Sequence, residues 1–140
     1  MSWVEVDLHG MADEMERIPE GEYVFALLAG ARYGKFDQGK IELAGKIVDG
    51  EYAGRVIYFS YPDPAKQDWS PAALKRLESC LVKAGAPAAE EGQDPVSYLS
   101  QEDVVGAQFK ALVFHRDYTD SNGEEQKRTE IRLFKIKPAV

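Results

Sequence analysis

Residues 70–85, "SPAALKRLESCLVKAG", interrupt a chain that otherwise reads as strands. Ser70 suits an N-cap and Pro71 the first helical position, while Leu74, Leu77 and Leu81 recur at helical spacing and Gly85 falls where a C-terminal cap belongs. The stretch predicts one helix. Its place in the chain decides the fold, because three strand-like runs precede it and two follow it.

Upstream, "EYVFALLAGARY" (22–33) is rich in strand formers, apolar on both phases at its centre, and broken by Gly30, which suits a central strand with a bend. "KIELAGKIV" (40–48) alternates Ile41, Leu43 and Ile47 with Lys40, Glu42 and Lys46, the pattern of a half-buried strand. "DGEYAG" supplies a turn, and "RVIYFSY" (55–61) is a third run of β-branched and aromatic residues. Downstream, "DPVSYLSQ" allows one or two helical turns after Asp94. "AQFKALVFHRDY" (107–118) and "KRTEIRLFKIK" (127–137) then read as an antiparallel pair joined by "TDSNGEEQ", whose Asn122-Gly123 step is a hairpin signal.

Three strands, a helix and two strands, without alternating strand–helix units, exclude a doubly wound parallel sheet. The expected class is all-β with small α content: a five-stranded OB-fold Greek-key barrel with a helix between strands three and four. Another small antiparallel barrel shares that count. Residues 1–18 read as an acidic N-terminal arm and 19–140 as the barrel domain.

At 140 residues the chain is long enough for one domain with its own core. Cys80 stands alone, and His9 and His115 are far apart, so neither a disulfide nor a zinc-type cluster is written in the sequence, and no cofactor is implied. No apolar stretch exceeds strand length, so no membrane span or signal peptide is expected and a cytoplasmic setting fits. The net charge of −7 argues against a polyanionic partner, but its distribution argues back. Residues 1–20 and 62–103 hold fourteen acids against five bases, whereas the strand-rich remainder holds ten acids against twelve bases.

The run "IPEGEYVFALLAGARYGKFDQGKIELAGKIVDGEYAGR" (18–55) resembles the beginning of a family of small phage-type proteins encoded near replication and recombination genes. "PEGEY" leading into the first strand, a Gly- and Lys-bearing turn, and "IVDGEYAGR" carry the likeness. It continues more weakly through "VGAQFKALVFHRDY" and "EIRLFKIKP". That family is similar to the OB-fold single-stranded DNA-binding proteins of phages. The resemblance implies a protein that coats single strands in the cytoplasm of a bacterial host, with replication or recombination proteins as partners and self-assembly as a way to multiply short sites. Many such proteins end in an acidic tail, whereas this sequence reads "FKIKPAV" at that end.

Single-strand binding needs cations for the backbone and rings for the bases. Tyr33, Lys35 and Phe36 fall on the first loop, Lys40 and Lys46 on the polar phase of the second strand, and Arg55, Tyr58 and Tyr61 on or beside the third. Arg116, Tyr118 and Lys127 flank the second long loop, and Arg132 lies on the fifth strand. Tyr33 and Phe36 lead, because a loop tip offers two rings little core. Lys40 and Lys46 read equally well as the solvated face of a half-buried strand. Tyr58, Phe59 and Tyr61 cannot all face one way, so at least one packs inside. Phe25, Leu27, Phe109 and Val113 belong to the core, and Trp69 reads as a staple at the helix start. Cys80 on an apolar helix face and His115 without a surrounding motif give no nucleophile–base pair, so an enzyme is not expected. A protein-interaction module of a replication or recombination complex, without useful DNA affinity, is the competing function. A continuous positive groove over the second and third strands would favour DNA, and an acidic or apolar flat patch a protein partner.

Overall fold

Period-two burial shapes the centre of the sheet and leaves one phase of its strands there to solvent. The structure, a computed structural model, describes residues 18–35 and 38–139. The first predicted run yields β1 (Gly21–Leu27) and β2 (Arg32–Tyr33), the second β3 (Ile41–Ile47) and the third β4 (Val56–Tyr61). Two helices follow, α1 (Ser70–Lys83) and α2 (Pro95–Leu99). The chain ends with β5 (Gln108–Thr119), β6 (Glu125–Ile131), a 3-10 turn (Leu133–Lys135) and β7 (Lys137–Pro138).

All ladders are antiparallel, in the lateral order β4–β3–β1–β5–β6. β2 extends β1 along β3, and β7 extends β6 along β5. The outermost strands β4 and β6 come close without sharing a ladder. Among the described residues the fold is therefore mostly β, a curled antiparallel sheet forming a half-barrel with two helices. Among the described residues, no helix is long and apolar enough to cross a membrane.

The break between β1 and β2 falls at Gly30, whose φ of +104° lies in the region that glycine enters freely. The predicted helix is α1, burying Ala73, Leu77, Cys80 and Leu81. Its start differs from the sequence reading. Trp69 occupies the N-cap position, and the fully buried Ser70 instead donates its hydroxyl to the Pro62 carbonyl at 2.7 Å. Its end follows the reading: the Gly85 and Ala86 amides bond back to the Val82 and Leu81 carbonyls, both at 3.0 Å, which is a Schellman closure. α2 begins at Asp94, whose carboxylate accepts from the Ser97 amide at 3.1 Å.

The last predicted strand is shorter than 127–137. Pairing with β5 stops at Ile131 opposite Val113, and the chain rejoins β5 only at Lys137, opposite Lys110. A six-residue step on the returning chain faces a three-residue step on β5. The surplus coils into the 3-10 turn, which leaves Phe134 exposed while Ile136 is buried. Of the predicted arm, residues 1–17 lie outside the described residues. Ile18 belongs to the core, and its carbonyl accepts from the His115 ring Nε2 at 2.7 Å.

Phe25 of β1 and Phe109 of β5 stack at 5.6 Å between centroids, and Phe59 of β4 meets Phe109 at 6.1 Å. Gly45 of β3 makes room for this stack, because a Cβ there would lie 3.0 Å from Phe25 Cδ1 and 3.4 Å from Phe109 Cζ. Both rings are fully buried and cannot retreat cheaply. Gly45→Ala is therefore expected to lower stability. Overpacking of ~1–3 kcal/mol outweighs the ~0.4–1 kcal/mol gained by stiffening the unfolded chain. Denaturant unfolding measures the difference, and an unchanged or higher midpoint would dismiss the seat.

Candidate functional site

The outward phase of β3 and β4 forms one wall of an open cleft. Ile57, Phe59 and Tyr61 point into the core, which turns Val56, Tyr58 and Ser60 outward. Tyr58 stands opposite the small Ala44 in the ladder and is 76% exposed. Arg32, from β2, pairs with Glu42 of β3 through Nε at 3.0 Å.

The second wall is the β5–β6 hairpin. Val113 and Ile131 are buried, so Phe114, Arg116 and Tyr118 take the other phase, opposite Glu130, Arg128 and Gln126. Rings and guanidinium groups stack along this face. Arg132 lies 3.9 Å from the Phe114 centroid, Arg116 5.7 Å from the same ring, and Arg128 4.8 Å from the Tyr118 centroid. Arg116 Nε also meets Glu130 at 3.0 Å. Such contacts hold flat cations ready beside aromatic faces, at a smaller ordering cost than free side chains would incur on binding.

Between the walls the cleft measures about 1580 Å³. Among the described residues, Arg32, Lys40, Arg55, Arg116, Lys127, Arg128, Arg132 and Lys135 line it, against two carboxylates, Glu42 and Glu130. On a chain of net charge −7 this is a concentrated reversal of sign. Tyr58, Phe114, Tyr118, Trp69 and Phe134 bring rings to the same surface. The arrangement can meet a chain of phosphates and offer faces to planar groups.

Of the residues picked from the sequence, Lys40, Arg55, Tyr58, Arg116, Tyr118, Lys127 and Arg132 come together in this cleft. Tyr61 is a correction. It is fully buried, its hydroxyl has no hydrogen-bond partner among the described residues, and burial pushes its pKa far up. It packs edge-on against Phe59 at 6.1 Å, because both share the inward phase of β4. Tyr33, Lys35 and Lys46 are exposed but do not line the cleft. The Tyr33 hydroxyl donates to the Asp94 carboxylate, which, ahead of partial desolvation, holds its pKa up to about 12. Its ring thus ties the first loop to α2. Phe36 lies outside the described residues.

Sequence reasoning passed over Arg32, Phe114, Arg128, Phe134 and Lys135 and assigned Trp69 to the helix start alone. Phe114 and Arg128 carried a usable signal, since Phe114 is two residues from Arg116 and Arg128 four from Arg132, each an even step along a predicted strand. Phe134 shared the phase of Arg132 on the predicted strand, but its exposure comes from a 3-10 turn that alternation does not record. His115 and Cys80 lie elsewhere in the fold: the His115 amide donates to the Glu20 carboxylate at 2.7 Å, and Cys80 is buried on α1. No protein-family model and no curated protein matches the chain.

The tip of the hairpin is organised by Asp120. Its carboxylate accepts from the Asn122 amide at 2.9 Å, the Glu124 amide at 3.0 Å and the Gln126 side chain at 3.2 Å. Gly123, at φ +79°, completes the reversal. The Glu124 amide foremost, with Asn122 and Gln126, lowers the Asp120 pKa below its usual 3.8. A depressed folded-state pKa contributes stability that is present above the ordinary carboxylate range and is lost as pH falls through the lowered value. Hydrogen exchange at Asn122 and Glu124 is therefore expected to accelerate in Asp120→Ala at neutral pH, and in the parent chain only in strong acid. Equal protection in the two proteins at neutral pH would remove Asp120 from that role.

Proposed function

We propose that this chain is an OB-fold protein that binds single-stranded DNA with little sequence preference, in phage-type replication or recombination. The lateral order β4–β3–β1–β5–β6, with α1 between β4 and β5 in the chain and β4 closing on β6, supports the OB-fold part. The observation that carries the function is the cleft: among the described residues, eight cations against two carboxylates, with exposed rings between them, on an acidic protein. Phosphates displace counterions at the cations and bases stack on the rings. Neither step reads a base edge, so binding tolerates any sequence.

Fluorescence anisotropy of a labelled oligo-dT strand at low and moderate salt, with duplex of equal length as competitor, tests the proposal. Saturable, salt-weakened binding that prefers the single strand is expected. No binding even at low salt would overturn it and return the weight to a protein-interaction module. Tyr58→Ala is expected to cost about 1–3 kcal/mol of binding, the range for one stacked base, without loss of fold.

The two carboxylates set a second expectation. Glu42 and Glu130 face the same strand as the cations they orient, so they repel phosphate. Glu42→Gln with Glu130→Gln is expected to tighten binding several-fold at low salt. Arg128→Gln is expected to weaken it and flatten the salt dependence by about 0.7 in log–log slope, the share of one phosphate contact on a single strand. Affinity that falls on removing the carboxylates would mean their positioning of Arg32 and Arg116 outweighs their repulsion.

A further inference from the structure

One end of the cleft carries an aromatic pair that belongs to neither wall. Trp69, at the start of α1, and Phe134, in the 3-10 turn after β6, lie 5.1 Å apart at an interplanar angle of 52°. Packing does not cover them: Trp69 is 38% and Phe134 51% exposed. A ring that merely stapled the helix would be buried against the core, and this one instead meets a second exposed ring from a distant part of the chain.

The platform under the pair is held from both sides. Ser70 is buried and bonded to the Pro62 carbonyl, which fixes the helix start beside Trp69. Arg76 of α1 donates through Nη1 to the Ile136 carbonyl at 3.3 Å, and the Lys135 amide closes on the Arg132 carbonyl at 3.0 Å, which fixes the turn. Rings mounted this firmly lose little freedom when a ligand arrives.

The pair lines the same cleft as the second wall and follows it along the chain through Phe134. Same-face residues on a strand rise about 6.6–6.8 Å per pair of positions, so Tyr118, Arg116 and Phe114 span about 13 Å. Arg132 sits over Phe114, and the chain then turns to present Phe134 with Lys135 beside it. Lys135 lines the same cleft. The order along the surface repeats what the hairpin offers, a ring next to a cation.

We propose that Trp69 and Phe134 form a second stacking subsite, which takes a base of a single strand after it leaves the β5–β6 wall, with Lys135 meeting the adjoining phosphate. This rests on the single-strand reading above and extends the bound length beyond the hairpin and the β3–β4 wall. The pair acts only on strands long enough to reach it, so its contribution grows with length.

The chain has two tryptophans, Trp3 and Trp69, so Trp3→Phe leaves Trp69 as the only indole. Labelled oligo-dT of about 4 to 16 nucleotides, the range of site sizes for one OB-fold, is titrated into that full-length protein while strand anisotropy and Trp69 emission are read together. Quenching of Trp69 in step with anisotropy for the longer strands is expected, with little quenching by the shortest that still bind. Phe134→Ala, added to that background, is expected to weaken binding of the longer strands by about five-fold or more, as loss of a stacked base does, and to leave the shortest unchanged. Trp69→Phe keeps a ring in place and is expected to retain the length dependence. Binding by anisotropy with silent Trp69 and an unaltered Phe134→Ala affinity overturns the subsite while the single-strand reading stands. No anisotropy change with any strand overturns both.

Discussion

The stack of Phe25 on Phe109 against the bare backbone of Gly45 sets the phase of three strands at once. Phe25 and Phe109 face each other in the β1–β5 ladder, and Gly45 pairs with Leu27 in the β1–β3 ladder. A slip of one residue on any of them would turn every side chain of that strand to the other face. With the phase held, Ile57, Phe59 and Tyr61 must follow inward on β4, and Tyr58 must stand outside. The same logic on β5 buries Val113 and releases Phe114, Arg116 and Tyr118. The surface that could bind a ligand is the complement of the surface the core requires.

That complement is basic on an acidic protein, which separates two electrostatic effects. The net charge of −7 governs solubility and approach at long range, where salt screens it within about 8–10 Å. Inside the cleft, cations would lie closer to a bound anion than that distance and would dominate its local field. Glu42 and Glu130 temper them. Each carboxylate pairs with one guanidinium at 3.0 Å.

The two loops that looked alike in the sequence take different parts. The first, with Tyr33 tied to Asp94, braces the strand end against α2 and contributes Arg32 and Lys40 to the cleft from its two ends. The second is braced by Asp120 and carries the Tyr118–Arg128 contact at its base. Rings and cations on a loop are thus no single signal, since an aromatic hydroxyl with a carboxylate in reach can be an anchor.

Local pattern alone was enough for the element order, the bend at Gly30, the body of α1 and its closure at Gly85, and the hairpin turn at Gly123, because each depends on backbone preferences and on periods carried by neighbouring residues. It was also enough to pick seven of the cleft's residues, since cations and rings on strands and at their ends stand out in the sequence. Which of Tyr58 and Tyr61 faces out was decided only by tertiary packing: both sit on an amphipathic run, and the choice belongs to Phe59, Phe109 and the phase of β3. The placing of Trp69 beside Phe134 was decided there too. It requires β5 to recapture the returning chain at Lys137 and a turn to absorb the surplus, and the hydrogen bonds that impose this join residues far apart in sequence, where no periodicity can record them.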